Sequence, residues 1–190
     1  MFDQLTDLVK QYGAEAVVNN PAVPNEDNDA VIEHASGNIL DSLKNIAAQE
    51  GGAELIGSLF NGNNASDASN PVVQEITNQL SGSLGEKFGL NADDASGVAG
   101  SLIPKVLGSL IGKAKDPNDS SFQISDVITA ITGGNNADAG GIMDAISKYG
   151  GQFGLDQDGD GQVGMSDAVA AVSAKGGGFL SGLLGKLFGK

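Results

Sequence analysis

Residues 156–167, DQDGDGQVGMSD, place four carboxylates within one short stretch. Asp156, Asp158 and Asp160 stand at alternate positions, and Asp167 closes the stretch. Carboxylates this close repel one another unless a cation lies between them. Their oxygens suit a hard divalent cation. The alternative is a solvated turn, because Asp and Gly both favour turns and Asp167 could flank a helix cap.

The spacing matches the calcium-binding loop of an EF-hand. Such a loop takes oxygen ligands at alternate positions from the first to the ninth and again at the twelfth, with glycine at the sixth. Here Gly161 would make the sharp turn, Gln162 would bind through its backbone carbonyl, and Gly164 would leave room for a water molecule. The predicted Ca²⁺ ligands are Asp156, Asp158, Asp160, Gln162 and Asp167.

Asp167 departs from the EF-hand pattern, because the closing residue is usually a glutamate that binds calcium through both oxygens. Either the loop contracts, as in the dockerin-type loops that this one resembles, or Asp167 binds through one oxygen or a water molecule. The sequence therefore predicts a dissociation constant for Ca²⁺ of about 10⁻⁵ to 10⁻³ M, with Mg²⁺ as a weaker competitor. The site should be ordered by the metal and frayed without it.

The sequence contains no second intact loop. KDPNDSSFQISD, residues 115–126, has Lys115 and Pro117 where the first two acids should be. Gly150 and Gly151 interrupt the segment before the acidic loop, which argues against a full helix-loop-helix pair. A solitary loop favours a structural calcium over a cooperative calcium sensor.

The composition excludes or weakens several other chemistries. The chain has 190 residues, no Cys, one His and no Arg, so that all ten basic residues are Lys. It therefore has no disulfide, thiol nucleophile or thiolate metal site. A formal charge of −14 argues against nucleic-acid binding, which depends on cationic side chains at the phosphates. Cations are the expected partners.

Helical periodicity recurs along the chain and strand alternation does not, which predicts an all-α, multi-helical fold. Asn70 and Asn91 are predicted helix N-caps, and the glycines at 51, 133, 140 and 176 are predicted helix stops. Long helices are predicted over residues 31–50, 71–88 and 92–110. Short helices are predicted over residues 2–13, 55–60, 125–132 and 142–149.

The sequence also repeats itself. ELIGSLFNGNNA, residues 54–65, aligns without gaps with DVITAITGGNNA, residues 126–137, and NILDSLKNIA resembles KVLGSLIGKA in the same order. This pattern predicts two tandem related helical units, with chance similarity among common small residues as the alternative. The predicted organisation is an N-terminal helix with a proline-containing linker (1–24), a helical domain that contains the repeat (25–155), and the calcium loop with a hydrophobic C-terminal helix (156–190).

Residues 84–114, LGEKFGLNADDASGVAGSLIPKVLGSLIGKA, followed by FQISDVITAITGG, resemble the YidB-like family of bacterial proteins of unknown function. The shared features are a Leu-Gly-Leu-type helix end, an Asx-x-acid-x-Ala helix start, Ile-Pro near a helix middle and a glycine-punctuated tail. The resemblance covers residues 29–134. It implies an all-helical fold and brings no catalytic residues.

The C-terminal tail, residues 177–190, has the sequence GGFLSGLLGKLFGK, in which Lys186 and Lys190 are the only charges. One interpretation is an amphipathic helix on a membrane surface. The tail also aligns with IPKVLGSLIGKAK in the repeat, where the same spacing should face the core. Packing within the chain, or against a partner or a second copy, is therefore favoured, and self-association to a homo-oligomer is expected.

The remaining polar residues do not suggest an enzyme. His34 has no second His, Ser or Cys at a suggestive spacing and is expected to be an exposed or half-buried histidine. The acid pairs Asp93-Asp94 and Glu26-Asp27 precede or begin predicted helices, where carboxylates favour the helix dipole. The chain is therefore predicted to be non-enzymatic.

The N-terminal residues have acids where a signal peptide would have a positively charged region. No uninterrupted run of about 20 apolar residues is found. Cytoplasmic location is the default expectation, with export by a signal-less route as the alternative.

Overall fold

The structure, a computed structural model, describes residues 2–116, 119, 121–133 and 136–150. This part of the chain folds into α-helices and contains no strand, which confirms the predicted all-α class. The helices are α1 (Phe2–Gly13), α2 (Asn28–Ala47), α3 (Gly52–Ser58), α4 (Pro71–Phe88), α5 (Ala92–Lys115), α6 (Ile124–Thr132) and α7 (Asn136–Gly150). A π-helical turn, Ala14–Val18, extends α1, and short 3₁₀ turns, Asn25–Asp27 and Asn64–Ser66, lie before α2 and α4.

The predicted N-caps of α4 and α5, Asn70 and Asn91, are confirmed. The side chain of Asn70 accepts a hydrogen bond from the backbone N–H of Val72, and Pro71 follows it as the first helical residue. Asn91 accepts from the backbone N–H of Asp94. These side chains satisfy amides that a helix start leaves without partners, so both boundaries follow from local chemistry.

The apolar stripe of each long helix faces one common core. On α2 the stripe residues are at most 1% exposed: Val31, Ala35, Ile39, Leu43 and Ile46. Leu5 and Val9 of α1 enter the same cluster, as do Ile76 and Leu80 of α4. The described helices therefore share one core, in which α1 takes part.

Helix α5 lies at the centre of this arrangement and packs against α4 and α1. Leu102, Ile103, Val106 and Leu107 are fully buried. Among the described helices, α5 alone is long and apolar enough to cross a membrane by length and composition, and half of its most apolar window is buried inside the protein. Packing in the core accounts for this composition as well.

Helix α7, which leads toward the acidic loop, packs closely on α3. A β-carbon built on Gly57 would lie 2.6 Å from the β-carbon of Ala145, so only glycine permits this approach. Helix α7 begins at Asn136 rather than near residue 142, because it continues through Gly140. The prediction that Gly140 ends a helix is therefore wrong, whereas Gly133, with φ of 62°, does end α6.

Candidate functional site

The predicted calcium ligands Asp156, Asp158, Asp160, Gln162 and Asp167 lie outside the described residues. The structure does describe the helix that precedes them. Ile142, Ala145 and Ile146 of α7 are buried, and α7 extends to Gly150. The chain therefore approaches the acidic loop from a helix that is packed into the core.

The described residues contain no group of three or more Asp, Glu or His side chains placed to hold a metal ion. The predicted acid pairs have local roles instead. Asp94 accepts a hydrogen bond from the side-chain amide of Asn91 at 2.6 Å, in the first turn of α5. Glu26 and Asp27 lie in the 3₁₀ turn directly before α2. The prediction that both pairs lie at helix starts is confirmed.

Residues 115–126 lack the first two acids of a calcium loop, and Asp119 of this segment is paired with a lysine. Lys113 donates to Asp119 at 2.8 Å, and Asp119 also accepts from the backbone and the hydroxyl group of Ser121. These hydrogen bonds, that of Lys113 first, lower the pKa of Asp119 to about 2. Lys115 reaches across to the backbone carbonyls of Phe60 and Gly62, at 3.4 and 2.9 Å.

A polar groove of about 550 Å³ runs along α2, between α4 and the first residue described in α1. Its floor is a stripe of α2 that includes His34, Asn38 and Asp41, and Gln79 and Lys87 of α4 border it. Phe2, with 40% of its surface exposed, lies at the other edge.

A hydrogen-bonded chain ties α2 to α4 at one end of the groove. His34 Nε2 lies 3.0 Å from Ser83 Oγ, and Ser83 donates its hydroxyl proton to the carbonyl of Leu80 at 2.9 Å. Because this hydroxyl has a single proton, Ser83 Oγ accepts from His34 Nε2–H. Nδ1 is then the acceptor for Lys87 Nζ, which lies 3.4 Å away. This assignment satisfies all three contacts with a neutral imidazole.

Burial also favours the neutral imidazole. His34 is half-buried, and its ring packs edge-on against Phe88 with the ring centres 5.6 Å apart. Partial burial, followed by the charge of Lys87, lowers the pKa of His34 from its ordinary value of 6.5. Both effects act against the imidazolium form, since a buried charge loses water and meets a second positive charge.

The same geometry does not prepare Ser83 for nucleophilic attack. A serine nucleophile donates its proton to histidine, and a carboxylate orients the other ring nitrogen. Here Ser83 donates to Leu80, and the group next to Nδ1, among the described residues, is the ammonium of Lys87. The arrangement holds two helices together and offers no base for abstracting the Ser83 proton.

The sequence pattern around His34 did not reveal these partners. Ser83 is 49 positions from His34, and the second cross-link, in which Ser42 donates to Gln79 at 2.6 Å, spans 37 positions. The sequence does contain a weak indication of these contacts. His34 and Ser42 lie two turns apart on α2, and Gln79 and Ser83 lie one turn apart on α4, so each pair could lie on one face of its helix. In the structure the contacts run in opposite order on the two helices, because His34 meets Ser83 and Ser42 meets Gln79.

Comparison with protein-family models, with curated proteins and with solved structures finds no match to this chain.

Proposed function

We propose that this chain is a non-enzymatic, all-helical calcium-binding protein in which Ca²⁺ has a structural role. One observation carries the proposal, the spacing of residues 156–167. The positions that a calcium loop requires are filled by aspartates, by a residue whose backbone carbonyl can bind the ion, and by the turn glycine. No other stretch of the sequence meets that template.

The proposed ligands differ in what they contribute. Asp156, Asp158 and Asp160 supply side-chain oxygens from the first half of the loop, and Gln162 supplies a neutral carbonyl. Asp167 closes the loop with a carboxylate that is one methylene shorter than the usual glutamate. Because the stretch contains no basic residue, its four carboxylates depend on a cation for their mutual stabilisation.

A structural role fits the position of the loop along the chain. Residues 156–167 lie between α7, whose Ile142 and Ile146 are buried, and the apolar tail of residues 177–190. Ligands from both ends of one loop would fix the backbone when Ca²⁺ binds, because metal binding and local folding are coupled. Calcium would thereby hold the C-terminal segment at a defined position relative to the helical core.

We also propose that the helical part is a YidB-like scaffold. The supporting pattern is that of residues 84–114 and 122–134, and an all-helical core is what this resemblance implies. The family brings no catalytic group, so the calcium loop is the feature that gives the chain a chemistry of its own.

The experiment that tests the calcium proposal compares unfolding free energies with Ca²⁺ and with a chelator. At a free Ca²⁺ concentration about one hundred times Kd, bound ion should stabilise the wild-type chain by about 2.7 kcal/mol. Asp158→Ala and Asp160→Ala should remove this gain and leave the chelator value unchanged. Asp158→Asn should keep part of it, because a calcium loop accepts asparagine oxygen at that position.

Glu50→Ala is the matched control, because it removes a carboxylate from an exposed turn outside the loop. It should leave the calcium-dependent gain intact. Equal losses of stability for Asp158→Ala with and without the ion would overturn the structural role.

A second proposal, attachment to a membrane surface through the tail, rests on a separate observation. Residues 177–190 carry only positive charges in a chain whose formal charge is −14. Co-sedimentation with anionic phospholipid vesicles tests it. Binding that disappears when residues 177–190 are deleted would support attachment through the tail, and binding that survives the deletion would exclude it.

A further inference from the structure

The turn after α3 contains the one Asn-Gly pair of the sequence, Asn61-Gly62. Neither residue is helical, and Gly62 is exposed with φ of 54°. A β-carbon on Gly62 would meet no atom within 4 Å. Glycine leaves its own backbone nitrogen sterically accessible, because it has no side chain to shield that nitrogen from the preceding residue.

The reacting groups at this turn have no hydrogen-bond partner among the described residues. Neither the side-chain amide of Asn61 nor the backbone N–H of Gly62 takes part in any such bond there. Asn64, in the same connection, contrasts with Asn61. Its side chain donates to the carbonyl of Ser58 at 3.0 Å, and the residue lies within a 3₁₀ turn. The backbone of Asn61 is held, because its N–H donates to the carbonyl of Ser58 and its carbonyl accepts from the N–H of Asn64, both at 3.1 Å. The two asparagines therefore differ in their side chains: that of Asn64 is hydrogen-bonded and that of Asn61 is not.

We propose that Asn61 is a site of intramolecular deamidation. The backbone nitrogen of Gly62 gives up its proton to a base in the solvent and attacks Cγ of Asn61. A new C–N bond closes a five-membered succinimide, and the Cγ–Nδ2 bond breaks as Nδ2 takes up a proton and leaves as ammonia. Water then adds to either ring carbonyl, which gives aspartate or isoaspartate at position 61. The net change consumes one water and releases one ammonia.

The contacts of Lys115 give this reaction a structural consequence. Lys115 Nζ donates to the carbonyls of Phe60 and Gly62, which flank Asn61 and tie the turn to the end of α5. Either product places a new carboxylate between these two carbonyls. Isoaspartate also inserts a methylene into the backbone there, so the two carbonyls cannot both keep their positions at one ammonium. Modification therefore alters the contact between the turn and α5.

The second copy of the repeat lacks this chemistry. In the gapless alignment of residues 54–65 with residues 126–137, Asn61 corresponds to Gly133, so Asn-Gly becomes Gly-Gly. Asn63 and Asn64 correspond to Asn135 and Asn136, so these two asparagines are present in both copies. Reactivity is therefore specific to the first copy and is not a general property of the Asn-rich connections.

The test is to incubate the full-length chain in mildly alkaline buffer and follow each asparagine by peptide mapping with mass spectrometry. Deamidation adds about one dalton to the peptide. It should be about tenfold or more faster at Asn61 than at Asn63 or Asn64, since only Asn61 precedes glycine. Incubation in ¹⁸O-labelled water should place the heavy oxygen at position 61. Native ion-exchange chromatography should separate a species with one more negative charge.

Asn61→Gln is the control, because its longer side chain would have to close a six-membered ring, and it should suppress the acidic species. The same chain unfolded in urea supplies the reference rate. Deamidation of Asn61 no faster than that of Asn64 would overturn the proposal. A rate in the folded chain more than about tenfold below the rate in urea would overturn it too, because the turn would then protect Asn61 rather than leave it reactive.

Discussion

The negative charge of Asp119 is balanced by a lysine of the same chain, Lys113. Its carboxylate accepts a hydrogen bond from Lys113 at 2.8 Å, and its pKa is lowered to about 2. The four aspartates of residues 156–167 have no lysine in their own segment, and the neighbouring lysines in the sequence are Lys148 and Lys175. The balancing charge for these aspartates must come from another segment or from an ion, and their spacing favours an ion.

Asp167→Glu should tighten Ca²⁺ binding. The longer side chain can place both oxygens on the ion, which is how a glutamate at the closing position works in an EF-hand. A gain of about tenfold in affinity, or about 1.4 kcal/mol, is expected from a calorimetric titration. Asp167→Asn is the control and should weaken binding. If neither substitution changed the affinity, Asp167 would not be a ligand.

His34 should titrate below its ordinary pKa of 6.5. It is the only histidine, so its imidazole resonances can be followed by NMR without assignment. Lys87→Met should raise the pKa by removing the nearby positive charge, and should leave it below 6.5 because partial burial is the larger cause. A pKa above 6.5 in the wild-type chain would contradict the neutral imidazole assigned to the contact with Ser83.

The pH dependence of stability follows from the same shift. Since the folded state binds the His34 proton less tightly than the unfolded state, stability rises with pH across the interval between the two pKa values. The contribution of His34 is complete above pH 6.5 and is lost as the pH falls toward the lower folded value. Replacing His34 by glutamine should flatten the urea-unfolding profile in this interval.

Among the helices, the sequence predicted best those whose signals are local. Asn70 and Asn91 cap α4 and α5 as expected, and the buried stripe of α2 is the one that its periodicity indicated. The predicted start of α7, near residue 142, is wrong. Glycine costs about 1 kcal/mol in a helix, so Gly140 and Gly141 indicate a helix end in the sequence. Packing of α7 against α3 outweighs that cost, and such a contact has no local signature in the sequence.

Gly57→Ala tests the contact between α3 and α7. The added β-carbon would lie 2.6 Å from Ala145 Cβ and 3.0 Å from its backbone carbon, so the helices must separate. A loss of about 1 to 3 kcal/mol in the free energy of unfolding is expected from urea denaturation. Gly97→Ala in α5, where a β-carbon meets no atom within 4 Å, is the control and should stabilise by up to about 1 kcal/mol. Equal effects of both substitutions would contradict the close approach.

At the scale of the whole molecule, the sequence predicts the calcium loop of residues 156–167 but not the groove along α2. The ligands of a calcium loop are contiguous, so the spacing of Asp156 to Asp167 can be read without any fold. The groove beside His34 is bordered by Gln79 and Lys87, which lie next to α2 only because α4 packs against it. The hydrogen-bonded pairs that join α2 to α4 through a serine are 37 and 49 positions apart and follow no local spacing rule, so the weak signal on each helix identifies the partners only once the packing of α2 and α4 is known.

A calorimetric Ca²⁺ titration of chelator-stripped protein, repeated with Asp158→Ala, tests the central claim most directly. The proposed function predicts saturable binding of one ion per chain with a Kd of about 10⁻⁵ to 10⁻³ M, and its loss in the variant. Absence of saturable heat up to Ca²⁺ concentrations well above this range, or binding that Asp158→Ala leaves unchanged, would contradict it. Residues 156–167 would then be a solvated turn.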